Sequence, residues 1–303
     1  MKKMLLIAAV LMIVFGGATV FANGDQESKG PSYTDGVYYA QEENFAGSGW
    51  KYFVVLSVED GKIADAYWGG TNIQPKGDKR RMSENKSYGM VKYGSASSYW
   101  YEQAEAAEAW LLANQDPAAF EYTDDKGHTD MLKTDAGTGV SVHVIEFYTL
   151  AAEALAGSAV PAGKLEAEDY VVNVSLAPSD SGWASAFDFI VANGTIVSAN
   201  LNAVNAASLA DDGSNANLFA EDKEGNPDPK KPLSKDEIGE GYGMKAYAGS
   251  EYEWNEQAEM IEAYILENQS IPEMKADATT DAIAGVSIHI NEYVELFSKA
   301  FGM

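Results

Sequence analysis

Apolar and polar positions along this chain change rhythm in an order that is then repeated. DGVYYAQ, residues 35–41, reads as a short first strand, and KYFVVLSVEDGKIADAYW, residues 51–68, reads as two strands joined at Asp60-Gly61, a dipeptide favoured in tight hairpin turns. The pattern predicts a meander of at least three strands. At SSYWYEQAEAAEAWLLANQ, Ser97 to Gln115, the rhythm switches, and Ala104, Ala107 and Leu111 recur at three- and four-residue intervals. That spacing predicts a helix with Ser97 or Ser98 as its cap. A polar loop, EYTDDKGHTDMLK, leads into TDAGTGVSVH, Thr134 to His143, after which VHVIEFYTLAAEAL predicts a second helix.

The second half repeats this order. Gly49-Trp50 returns as Gly182-Trp183 (183 − 50 = 133), and the turn at Gly61 returns at Gly194 with the same offset. Tyr88-Gly89-Met90 returns as Tyr242-Gly243-Met244 (242 − 88 = 154), and Glu102-Gln103-Ala104-Glu105 as Glu256-Gln257-Ala258-Glu259. TDAGTGVSVH comes back as TDAIAGVSIH, Thr280 to His289 (281 − 135 = 146). Constant order with drifting offsets reads as a duplicated domain whose loops differ in length. The extra residues of the second copy include ADDGSNANLFAEDKEGNPDPKKP, whose density of Gly, Asn, Asp and Pro predicts an exposed loop. The expected architecture is α+β: two tandem copies of a small antiparallel-sheet domain with packed helices, residues 33–156 and 168–303, joined by a compositional linker over 157–167.

The N-terminal segment changes the expected compartment. MKKMLLIAAVLMIVFGGATVFA, residues 1–22, has two lysines, an apolar run and a small-residue end, as a secretory signal does, and residues 23–32 read as a flexible tether. An uncleaved signal would instead serve as a membrane anchor. Export to a periplasmic or cell-surface location is the expectation. With no cysteine in the chain, a lipid-modified cysteine and any disulfide are excluded. The formal net charge of −25 argues against nucleic acid as a partner, because so acidic a surface repels phosphate backbones.

Features kept in both halves are the candidates for chemistry. In the repeated turn, Gly139 and Gly285 are expected to permit a sharp bend or close backbone approach, leaving Ser141 and Ser287 uncrowded just ahead of a helical run. Two readings fit such a serine: a helix cap, or a hydroxyl placed where backbone N–H groups and the helix dipole favour a phosphate. Trp50, Tyr88, Tyr99 and Trp100, with Trp183, Tyr242, Tyr252 and Trp254, are paired aromatics able to supply a flat apolar platform. Ser141, His143 and Asp135 are the residue types of a hydrolase triad, but the Gly-x-Ser-x-Gly nucleophile turn is missing. His128, His143 and His289 are the only histidines and have no cysteine partner, so a zinc site is not expected.

The order of strands and helices, the DG-x-Y opening, the VEDGKI hairpin and the Asp-x-x-Thr-Gly-Val-Ser turn resemble the FMN-binding domain family. That family includes the C subunit of sodium-pumping NADH:quinone oxidoreductase, its Rnf-complex counterpart and exported two-domain electron-shuttle lipoproteins. Its pattern is Asp-x-x-Ser/Thr-Gly-Ala-Thr, whose last hydroxyl is joined to FMN through a phosphoester by a flavin transferase. Asp135, Thr138, Gly139 and Ser141 match in the first half, and Asp281, Gly285 and Ser287 in the second. Val140 and Val286 stand in place of Ala, and Ala284 in place of Ser/Thr. A branched side chain at 140 and 286 is expected to stiffen and crowd the turn.

The resemblance implies FMN, covalently or tightly bound, at one or two sites per chain; His143 and His289 are expected to cap, pack or hydrogen-bond near the phosphate. It implies an electron carrier rather than an enzyme. Its partners would be a flavin transferase for maturation, a membrane electron donor such as a quinone or flavin reductase, and a periplasmic or extracellular acceptor. The alternative expectation is a duplicated, non-flavinylated periplasmic or surface protein of the same fold with a ligand-binding or structural role.

Overall fold

The computed structural model describes residues 31–302, so the expected signal and most of the expected tether lie outside the described residues. The protein is α+β, with two three-stranded antiparallel sheets and helices packed on them. Strands β1 (Gly36–Gln41), β2 (Trp50–Glu59) and β3 (Lys62–Asn72) lie in that order, as do β4 (Val171–Ser175), β5 (Trp183–Ala192) and β6 (Thr195–Asn205). Trp50 pairs with Asn72 and Trp183 with Asn205, and the register slips at Ser57/Val58 in one sheet and at Ile190/Val191 in the other. Both hairpins turn through two left-handed residues, Asp60 and Gly61 at φ 52° and 74°, Asn193 and Gly194 at φ 50° and 73°. Asp-Gly and Asn-Gly adopt that geometry more cheaply than other pairs.

The helices after the first sheet are α1 (Lys79–Glu84), α2 (Met90–Gly94), α3 (Trp100–Asn114) and α4 (Ile145–Ala156). Those after the second are α5 (Lys235–Ile238), α6 (Met244–Ala248), α7 (Trp254–Asn268) and α8 (Asn291–Phe301). No helix among the described residues is long and apolar enough to cross a membrane. Neither Ser97 nor Ser98 caps α3. The cap residue is Tyr99, whose backbone N–H donates to Glu102 Oε2 at 2.7 Å, and Glu253 and Glu256 repeat the arrangement at α7.

Phe53-Val54-Val55-Leu56 does not alternate in polarity because the sheet is covered on both faces. Val54 and Leu56 join Trp68, Trp100, Ala104 and Phe147 in a core beneath the helices. Phe53 and Val55 point the other way and meet Val171, Ile190 and Ala192, so the two sheets share a small second core. Gly69 is required there, since a Cβ at that position would lie 2.3 Å from the Phe53 ring.

Both connecting segments carry more order than their composition announces. Residues 157–167 are not a free linker: Val160 N–H donates to Val37 O at 2.7 Å, Gly163 N–H to Asn193 O at 2.8 Å and Leu165 N–H to Gly194 O at 3.0 Å. The long insertion of the second half is not all loop, for it folds a two-stranded hairpin of β7 (Phe219–Glu221) and β8 (Pro227–Pro232). Composition misses the first because its backbone groups find partners far away in sequence, and the second because its strands are short and rich in turn-forming residues.

Candidate functional site

Each half places its repeated serine on a turn held by a buried glutamine. Gln103, fully buried on α3, accepts hydrogen bonds through Oε1 from Ser141 N–H at 2.6 Å and Val142 N–H at 3.0 Å, with Ser141 Oγ at 3.3 Å. Gln257 on α7 accepts from Ser287 N–H at 2.7 Å and Ile288 N–H at 3.1 Å, with Ser287 Oγ at 3.2 Å. Both serines remain exposed. The capping reading is therefore wrong, because the cap residues of α4 and α8 are Val144 and Ile290 and no side chain caps either helix.

The valines do not crowd this turn. Val140 and Val286 are 7% and 8% exposed and pack inward, each in the core of its own half, so their branching adds apolar contact below the turn. The glycines differ between halves. Gly285 is left-handed at φ 91°, with Tyr252 where a Cβ would be, whereas Gly139 has open space around it and the left-handed residue is Gly137 at φ 78°. Of the sharp bend or close approach expected of both, the close approach holds at Gly285, while in the first half the left-handed bend falls on Gly137 and not Gly139. Asp135 and Asp281 are exposed, and Asp281 pairs with Lys275 at 3.0 Å. Thr138 is half-buried and its carbonyl accepts Thr134 N–H at 2.8 Å, closing the first half's longer turn.

Beside each serine lies a pocket with aromatic walls. The first, about 260 Å³, runs from Ser141 and His143 to Tyr88, Trp100 and Tyr52. The second, about 590 Å³, runs from Ser287 and His289 to Trp183, Tyr242 and Trp254. Trp50 stands edge-on to Tyr88 with 5.8 Å between ring centroids, and Trp183 stands edge-on to Tyr242 at 5.6 Å. Tyr99 and Tyr252 belong to neither lining: Tyr99 stacks on Tyr101, and Tyr252 backs Gly285. His143 lies edge-on to His128 at 4.3 Å between ring centroids.

A lysine that sequence reasoning missed lines each pocket. Lys79 Nζ lies over the rings of Tyr52, Tyr88, Trp100 and Trp50 at 4.5, 4.9, 5.1 and 5.2 Å from their centroids. Lys235 Nζ lies over Trp254, Tyr242 and Trp183 at 4.7, 4.9 and 5.1 Å. Such faces attract a cation. Burial lowers the Lys79 ammonium to about 7, against the pull of Glu146 and Glu42, and lowers Lys235 to about 8, against Glu292. The lysines escape notice because their neighbours differ, Asp78-Lys79-Arg80 against Ser234-Lys235-Asp236. The available signal is a lysine just after a helix-cap residue and shortly before Tyr-Gly-Met in both halves.

The floors of the pockets also differ. In the first, the Tyr52 hydroxyl bonds Lys79 Nζ at 2.5 Å and its ring stacks on Trp100 at 6.0 Å and 9°. In the second, the matching position on the strand is Ser185, whose hydroxyl donates to Glu292. Glu146, the counterpart of Glu292, has one buried carboxylate oxygen without a partner among the described residues.

No family model matches the chain, and no curated protein matches it. Among solved structures, the chain is similar to a Clostridium thermocellum protein determined by solution NMR, at 43% identity over 40% of this chain and 89% of that one, with a TM-score of 0.31. It is also similar to a Clostridium perfringens protein determined by crystallography, at 21% identity over 41% of this chain and 87% of that one, with a TM-score of 0.29.

Proposed function

We propose that the chain is an exported electron-carrier flavoprotein, built from two tandem copies of an FMN-binding type of domain, with FMN esterified through its phosphate to Ser141 and Ser287. The observation that carries this reading is the arrangement built twice: an exposed serine hydroxyl, its backbone fixed by a buried glutamine, at the edge of an aromatic pocket that holds a lysine. The residues fit the group. A flavin asks for an attachment oxygen, flat apolar walls and polar contacts at one end, and each site offers all three. The second pocket falls within the roughly 300–1,000 Å³ usual for small-molecule sites.

When bound, FMN supplies reversible electron uptake, and the protein supplies orientation and electrostatics. Gln103 and Gln257 hold the serine turns at the surface, each accepting from the serine Oγ that the transferase would esterify. Half-buried Tyr88 and Tyr242 supply the aromatic wall nearest the opening, while Trp100 and Trp254 lie buried behind them and hold the lysine. In this reading the chain is a carrier, taking electrons from a membrane quinone or flavin reductase and passing them to a periplasmic or extracellular acceptor.

The test is the intact mass of protein co-expressed with a flavin transferase, with Ser141→Ala and Ser287→Ala as controls. The expected result is a yellow protein that loses one flavin equivalent for each serine removed. Colourless protein at the apo mass would overturn the reading and leave the non-flavinylated ligand-binding or structural role of the same fold.

A further inference from the structure

The lysine is the least expected group in each pocket. An ammonium carries strong hydration, and burying one without a tight ion-pair partner is costly. Lys79 is 3% exposed, yet its Nζ has a hydroxyl and four ring faces around it and no carboxylate within salt-bridge distance among the described residues. Lys235 Nζ is surrounded by three ring faces. Two different local sequences bring a lysine to the same place, buried in the first half and half-buried in the second. A purely structural role needs no charge among those rings, and methionine would fill the space.

We propose that Lys79 and Lys235 are the charge-compensating groups of the two pockets, each placing a positive charge beside the flavin ring when that ring takes up electrons. The inference rests on the flavoprotein reading above. For each flavin, two electrons from the donor and one proton from water go to the ring, leaving it with one negative charge. If the lysine is neutral beforehand, a second proton from water goes to Nζ, and the pocket's net charge does not change. Where the lysine is already an ammonium, that second proton is not taken up.

Several groups set when this exchange happens. Lys79 faces Tyr52 from β2, Tyr88 from the segment before α2, Glu146 and His143 from the serine turn and α4, and Glu42 from the end of β1. Lys235 faces Tyr242, His289 and Glu292. Burial brings both lysines down to near neutrality, while the carboxylates hold them above where burial alone would leave them. The sign follows from linkage. Below about 7 in the first pocket and about 8 in the second, the ammonium is present beforehand and one proton accompanies two electrons. Above those values the lysine must also be protonated on reduction, so the midpoint potential falls more steeply with pH.

The experiment isolates one pocket at a time in the full-length chain loaded by a flavin transferase. Lys79→Met is placed in the Ser287→Ala background and Lys235→Met in the Ser141→Ala background, with Lys→Arg in each as a second variant that keeps a permanent charge. Intact mass reports loading, and a redox titration from about pH 6 to 9, spanning both lysines, reports the midpoint potential. Intrinsic tryptophan fluorescence of the unloaded protein, titrated over the same range, reports the lysine without flavin, because Nζ lies over Trp50 and Trp100 or over Trp183 and Trp254.

The Met variants are expected to load normally, to have a lower midpoint potential than their parents below the break, and to lose both the break in slope and the fluorescence titration. The Arg variants are expected to recover the higher potential without the break. Loaded Met variants with an unmoved potential and slope would overturn this proposal alone. An absence of flavin on both serines in the parents would overturn it together with the reading beneath it.

Discussion

The two halves share a site and differ in what fills the space beneath it. In the first, Tyr52 lines the pocket, stacked on Trp100 and bonded to Lys79; in the second, the matching Ser185 is buried outside the lining, and the cavity, which reaches Ser179 and Ser181, is more than twice as large. A second difference lies one residue after the lysine. Arg80 pairs with Glu108, whose Oε1 also accepts Trp68 N–H at 2.7 Å. Asp236 occupies the corresponding place beside Glu262, whose Oε1 accepts Leu201 N–H at 2.6 Å. The first half thus buries an ion pair where the second sets two half-buried acids beside each other. A turn motif can stay constant while the pocket and the charges under it diverge, and resemblance in the motif alone says which residue could be modified but not what the pocket will accept.

The comparison can be broken most severely at Arg80. Replacing Arg80 by Leu leaves the buried Glu108 carboxylate without its partner, at a cost of about 3–5 kcal/mol. Urea denaturation should show that loss. A loss below about 1 kcal/mol, the scale of an exposed pair, would mean that the ion pair is not what separates the halves.

Asp188 is the next largest effect, because it ties the halves together. It points from β5 into the space between the sheets, 1% exposed, and accepts from Gly77 N–H at 3.0 Å, Lys76 N–H at 3.2 Å and Asn173 Nδ2 at 2.6 Å. Asn200 Nδ2 donates to Asn72 O at 2.8 Å and Asn202 Nδ2 to Ile73 O at 2.7 Å. The loop that delivers Lys79 to the first pocket is therefore satisfied by side chains of the second half. Asp188→Ala should cost about 1–3 kcal/mol by leaving buried N–H groups unpaired. It should disturb titration of Lys79 and leave Lys235 unchanged. Equal disturbance at both lysines would remove the asymmetry.

Asp236 sharpens the charge difference through pH. Burial raises its carboxyl to about 7, and burial with the neighbouring Asp236 charge raises Glu262 well above the usual range. Between about 4, where these acids titrate when unfolded, and about 7, the folded state holds more protons than the unfolded one, so stability falls as pH rises through that window. Asp236→Asn removes this penalty. The variant should match the parent near pH 4 and exceed it at pH 8, by about 1.4 kcal/mol for every tenfold by which folding weakens the acid. Parallel stability curves would show that Asp236 is not the acid responsible.

The parts of this molecule legible in its sequence are those that depend on neighbours along the chain. Asp60-Gly61 and Asn193-Gly194 announce their hairpins because the required φ angles are local. The order of α3 and α4 around the serine turn is likewise visible in periodicity. What stays hidden depends on distant partners. Gln103 and Gln257 look like exposed helical polar residues, and only the fold puts them beneath residues 141–142 and 287–288. The ordering of residues 157–167 by the hairpin at 193–194 and the caging of Lys79 and Lys235 are hidden for the same reason. Ser141 and Ser287, for which a cap is one of two readings, show the limit of composition, since a serine a few residues before a helix need not be bonded to it.

The smallest expected effect on stability concerns the feature that most separates the pockets. Ser185→Tyr places in the second half the ring that the first half carries at Tyr52. Its phenol should stack on Trp254 as Tyr52 stacks on Trp100, adding about 0.5–1.5 kcal/mol, partly offset by loss of the hydroxyl bond to Glu292. Denaturation should register little net change while the pocket shrinks toward the volume of the first. If Ser287 carries flavin as proposed, loading should still occur, because the serine turn and Gln257 are untouched, but the ring should be driven outward and become more fluorescent as it leaves Trp183 and Trp254. Unchanged flavin fluorescence in Ser185→Tyr would mean that the ring does not enter the deeper part of the second pocket, and the volume difference between the halves would then have no bearing on how they hold it.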